Sequence, residues 1–229
     1  MNITGRLSVS QNKAIITTST LFRMAGLASV VAGLCFAIVG LFHQANVPAS
    51  VTTTTWANVH IAAVIMGYFG IIGITGLYAR QVERAGLLGL AGFALFSLWL
   101  ALVMSFSMVE AFILPGLATE SPAFVDGFLG MFNGSPSAVD LSALPTLWQA
   151  SGLIYIAGPL LFGIATFRAG VLPRWAGALL AVGAVLTPLG AALPAARESL
   201  VLIPVGLALS WLGFALFAER RVNAPEKAS

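Results

Sequence analysis

The chain has 229 residues, 59% of them hydrophobic and only 8% charged, with a net charge of +3. Soluble domains carry roughly 25% charged residues, so a water-facing globular surface is excluded and a polytopic membrane protein is expected. The basic residues are scattered singly along the chain rather than gathered on one face, which excludes nucleic acid as a partner.

Residues 1–20 read as a polar N-terminal tail rich in Ser and Thr. The apolar run at about 21–43 is far longer than the roughly 7–15 residues of a signal-peptide core and reads as a first spanning helix. Cys35 lies inside it as the only cysteine, so no intrachain disulfide forms and the thiol is expected to pack as a small apolar group. Further runs at about 56–79, 86–114, 146–167, 174–195 and 199–218 each approach the roughly 20 residues needed to cross hydrocarbon. Transmembrane strands would alternate over segments of about ten residues; these runs are continuously apolar. The expected fold is therefore all-α: six transmembrane helices over 21–219, then a C-terminal tail at 220–229.

Lys and Arg set the expected orientation. Arg6, Lys13 and Arg23 precede the first span, Arg80 and Arg84 join spans two and three, Arg168 and Arg174 join four and five, and Arg220, Arg221 and Lys227 follow the sixth. Of the eleven basic residues, only Arg197 falls on the opposite side. The positive-inside rule then puts both termini in the cytoplasm. Trp56 and Trp148 read as an outer aromatic belt, and Tyr78 and Trp175 as an inner one. A long outer loop is expected at about 115–145, and its "PAFVDGFLGMF" segment (122–132) reads either as a short capping helix or as a loop with buried aromatics.

Three spans open alike, with "RMAG" at Arg23, "RAG" at Arg84 and "RWAG" at Arg174. The echo suggests three tandem helical hairpins, of the kind that surround a central site in repeat-built membrane proteins; an alternative is that Arg followed by small residues is merely a common inner-boundary pattern. Gly67, Gly70, Gly73 and Gly76 form a stripe in span two, expected to pack helix against helix. Pro159, Pro188 and Pro204 interrupt later spans and are expected to bend them.

The stretch "FGIATFRAGVLPRWAGALLAVGAVL" (162–186) and the "FRMAG" start at 22–26 resemble uncharacterised bacterial polytopic membrane proteins grouped as domains of unknown function. The resemblance implies a multi-pass protein of the bacterial inner membrane and carries over no catalytic residues.

Several chemistries lack their residues. There is no P-loop, no Gly-rich dinucleotide loop and no HExxH pair. No Lys lies in any span, which excludes a chromophore lysine, and two histidines are too few for a multi-histidine metal hydrolase. No cofactor is expected from motifs. What remains is Glu110, the one strongly ionisable group within an apolar run. From residue 86 to residue 110 a straight helix rises about 36 Å against about 30 Å of hydrocarbon, so Glu110 is expected near the outer boundary. His43, His60, Asn58 and Gln149 share that depth, and Ser107 lies one turn before Glu110. Intramembrane ionisable residues are functional candidates by default, against the alternative that boundary side chains simply snorkel to headgroups.

Three functions follow. An outward-facing pocket built from Glu110, His43, His60, Ser107, Gln149 and Asn58 would bind or carry a small apolar molecule or a membrane lipid. An embedded enzyme would use Glu110 as general acid or base on a lipid or isoprenoid-like substrate. A haem or metal protein would use His43 and His60 as ligands.

Overall fold

The computed structural model describes residues 16–194 and 197–219. Arg6, Lys13, Arg220, Arg221 and Lys227, the expected tail at 220–229 and most of that at 1–20 lie outside the described residues. Every regular element among those described is helical. In chain order they are α1 (Thr18–Phe42), α2 (Pro48–Val51), α3 (Thr54–Phe112), α4 (Leu114–Glu120), α5 (Pro122–Asn133), α6 (Leu144–Ala169), α7 (Arg174–Leu186), two 3-10 turns (Thr187–Ala192 and Glu198–Leu202) and α8 (Ile203–Ala218).

Five of these helical segments are long and apolar enough to cross a membrane, not six separate ones. The difference lies in α3. Its 59 residues would reach about 89 Å if straight, but the helix breaks at Gly86, where φ is 58° and ψ is −162°. Only glycine occupies that backbone region without strain. The two arms fold back on each other: Tyr78 stacks on Phe93 with ring centroids 4.8 Å apart, and Trp56 Nε1 donates to the Glu110 carbonyl at 2.9 Å.

The long segments close into a ring in sequence order. α1 packs on the first arm of α3, the second arm on α6, α6 on α7, α7 on α8, and α8 returns to α1. Small residues make the contacts close. A Cβ added to Gly33 would lie 2.4 Å from the Gly206 carbonyl oxygen of α8, so these two helices meet backbone to backbone. The Gly67–Gly76 stripe is a packing surface: Gly67 and Gly70 receive the second arm at Leu100 and Met104, and Gly73 and Gly76 receive α1 at Ser29 and Ala25. Side-chain hydrogen bonds add two interhelical ties, Ser29 Oγ to the Leu209 carbonyl and Gln81 Nε2 to Thr166 Oγ1, both 2.8 Å.

The three Ala-Gly starts do not behave alike. Gly26 packs against α8 and Gly177 against α6, each on the preceding helix of the ring, whereas Gly86 forms the break and has nothing within 4 Å.

Pro188 ends α7 early. Having no N–H, it leaves the Ala184 carbonyl to the Thr187 N–H, and the Gly183 carbonyl accepts the Thr187 hydroxyl at 3.2 Å instead. The chain then continues as 3-10 turns and re-enters a helix at Pro204. Irregular backbone at membrane depth is stable where it lines a cavity, and this one does.

One end of the bundle gathers Arg80, Arg84, Phe22 and Val171 around a cleft of about 470 Å³. There Arg80 Nε donates to Glu219 Oε2 at 2.7 Å and Arg23 lies over the Phe217 ring. α4 and α5 cover the other end, α5 being the segment read from sequence as helix or loop. A second apolar cluster holds them down, with Val51, Trp56, Phe106, Leu114 and Phe128 at its centre, and Asn133 Nδ2 donates to the Asn46 carbonyl at 2.6 Å.

Candidate functional site

Beneath that cap the ring encloses a cavity of about 580 Å³. Its walls come from α1, both arms of α3, α6 and the two 3-10 turns, and they are mostly apolar, with Val59, Ala63, Met66, Val103 and Ile156 among them. Five aromatic side chains also face it: Trp99, Phe106, Phe132, Trp148 and Tyr155.

The polar pole is built from three chain segments. α1 ends at Phe42, and His43 follows in extended backbone with its N–H on the Val39 carbonyl. His60 sits one turn into the first arm of α3, and Ser107 and Glu110 share a face of the second arm. His60, Ser107 and Glu110 are 2%, 2% and 4% exposed, so none snorkels to a headgroup. His60 Nε2 lies 3.4 Å from Glu110 Oε2, and the His43 ring meets the His60 ring edge to face at 5.1 Å.

Trp56 organises the pair. Its carbonyl holds His60 Nδ1 at 2.8 Å. A carbonyl oxygen only accepts, so Nδ1 carries the hydrogen. The Trp56 ring packs on the His60 ring with centroids 4.2 Å apart, and its indole N–H fixes the Glu110 backbone. Nε2 is thereby left to face Glu110. A bare lone pair opposite a carboxylate would be repelled, whereas a proton on either atom would make the approach favourable. The contact is too long and poorly aligned for a full hydrogen bond: Nε2 is buried without a hydrogen-bond partner, as is His43 Nδ1.

Deeper in the cavity, Tyr155 Oη is buried without a well-formed hydrogen bond, beside Thr187 in the same wall. The residue step from Trp148 to Tyr155 on α6 corresponds to about 10 Å along the axis. Glu198, from the second 3-10 turn, is a second acidic residue of the lining. No Lys or Arg lines the cavity among the described residues.

Sequence reasoning placed His43, His60, Ser107 and Glu110 at one depth, and all four line this cavity. Asn58 and Gln149 were expected with them, but both are exposed and neither lines it. Trp56 was expected in an interfacial belt; it is 1% exposed and tied into the site. Tyr155, Trp99 and Glu198 were not anticipated. Tyr155 and Trp99 carried no signal distinguishing them from core aromatics, whereas Glu198, an acid immediately before an apolar span, was a readable one.

Among the described residues no group of three or more His, Cys, Asp and Glu is arranged to hold a metal ion. The edge-to-face contact of His43 and His60 leaves no slot between them for a planar macrocycle. Comparison with family models, with curated proteins and with solved structures finds no match.

Proposed function

We propose that this chain is a multi-pass protein of the bacterial inner membrane whose cavity, on the outer side beneath the α4–α5 cap, binds or carries a small apolar molecule or a membrane lipid. Counting the two arms of α3 separately gives six spans with both termini cytoplasmic, and the described arginines other than Arg197 then share the inner side. The resemblance at 22–26 and 162–186 supports the compartment.

The observation that carries the reading is a largely apolar cavity of about 580 Å³ in which the buried His43 Nδ1 and His60 Nε2 make no well-formed hydrogen bond. Its size lies within the roughly 300–1,000 Å³ of small-molecule sites. Each unsatisfied buried group costs about 1–3 kcal/mol, and a ligand with an oxygen or nitrogen atom removes that cost while its apolar body fills the walls. Native mass spectrometry of the purified protein tests this. Wild type should retain an apolar ligand that Val103→Trp, which fills the cavity from the second arm of α3, releases without loss of helicity. Equal retention by both proteins contradicts the reading.

The 3.4 Å approach of His60 Nε2 to Glu110 Oε2 favours a second reading, in which Glu110 serves as general acid or base on a lipid or isoprenoid-like substrate. Incubating the protein with its retained ligand and finding a converted product would select this reading over simple binding.

A further inference from the structure

The cavity's charge and its aromatic walls narrow the ligand further. The Glu110 carboxylate lies at its polar pole and Glu198 is a second acidic residue of the lining, while no Lys or Arg lines it among the described residues. The aromatic rings of Trp99, Phe106, Phe132, Trp148 and Tyr155 surround the same space. Ring faces attract cations, and more strongly once water is excluded. A buried carboxylate inside an apolar, ring-lined cavity is a poor environment for an anion and a favourable one for a bulky cation that has little water to lose.

Resting on the ligand-binding reading above, we propose that the cavity takes a lipophilic organic cation and that the cation enters in exchange for the proton of the His60–Glu110 pair. His43 from the end of α1 and Trp56 from its own arm pack on His60, and the other polar or titratable groups of the lining are Asn46, Ser107, Ser151, Tyr155, Thr187, Glu198 and Ser199. None of them is a fixed positive charge. With Nδ1 committed to the Trp56 carbonyl, a proton on Nε2 makes His60 the imidazolium counter-ion of the Glu110 carboxylate. A cation docked at that carboxylate takes over this role. The Nε2 proton then leaves to water, His60 remains neutral, and one positive charge has replaced another in the buried site. Holding both cations at once would put two positive charges against Glu110, the one carboxylate in contact with His60, so the pair binds either the proton or the organic cation.

The test is calorimetry of full-length protein in lipid nanodiscs, with empty nanodiscs as the blank. Three probes of similar shape and different charge are used: tetraphenylphosphonium, uncharged triphenylphosphine oxide and tetraphenylborate. Titration in two buffers of different ionisation heat counts protons. Tetraphenylphosphonium should bind the wild type with release of about one proton. Its affinity should fall at least about tenfold in Glu110→Gln, equivalent to about 1.4 kcal/mol, while the phosphine oxide loses much less. The proton count needs no variant, so it stands even if the substitution unfolds the chain. Tetraphenylphosphonium binding without proton release, or a preference for the uncharged or anionic probe, overturns the cation proposal and leaves the apolar pocket standing. Binding of none of the three overturns both.

Discussion

Trp56 and Glu110 hold the two arms of α3 in register: the indole N–H donates to the Glu110 carbonyl across 2.9 Å. Because the same Trp56 offers its own carbonyl to His60 Nδ1, one residue fixes both members of the His60–Glu110 pair. Trp56→Phe keeps the ring and removes the donor. It should lower stability by about 1 kcal/mol, measured by thermal unfolding in detergent, and loosen ligand retention as well. Unchanged stability would mean that this hydrogen bond does not hold the arms.

The ring of helices depends on backbone-to-backbone contact at particular glycines. Gly33→Ala drives a Cβ against the Gly206 carbonyl, and overpacking of this kind costs about 1–3 kcal/mol. Gly152→Ala meets nothing within 4 Å and should be neutral or slightly stabilising through its gain in helix propensity. Equal unfolding temperatures for the two variants would contradict the packing described.

Gly86 separates conformational strain from crowding. An added Cβ has open space around it, yet φ is +58°. Gly86→Ala should therefore destabilise by about 1–3 kcal/mol through backbone strain alone, read as a lower unfolding temperature. Full stability in this variant would show that the arms do not need the glycine-only conformation.

Orientation is open to direct measurement. Reporter fusions after Arg80 and Arg168 should read cytoplasmic, and fusions near Asp140 periplasmic. A periplasmic signal at Arg80 inverts the topology and turns the cavity inward.

The apolar runs and their Lys and Arg boundaries were legible because membrane thickness fixes how many residues a helix needs. The turn between the runs ending near 79 and starting near 86 was legible too, but the left-handed backbone at Gly86 was not, since a glycine in a turn and a glycine inside a helix carry the same local signal. Depth was legible in the same way, which is why Glu110, His60, His43 and Ser107 emerged together. Azimuth was not. Gln149 is next to Trp148, yet one residue turns the helix by about 100°, and only Trp148 faces the cavity. Asn58 stands two residues from His60 and so points away from it. Trp56 was misplaced for a different reason: an indole suits a headgroup region and a buried hydrogen bond equally well, and the choice depended on a carbonyl supplied from residue 110.

An apolar molecule in the space beside His60 and Glu110 is the feature on which the proposed function depends. Photolabelling with a diazirine-bearing lipophilic probe in native membranes, mapped by peptide mass spectrometry, reads this directly. The account predicts saturable labelling on cavity-lining residues such as Met66, Val103 and Tyr155, lost in Val103→Trp at the remaining positions. Labelling confined to exposed, lipid-facing side chains such as Leu90, Leu153 and Phe214, with no saturation, would contradict it.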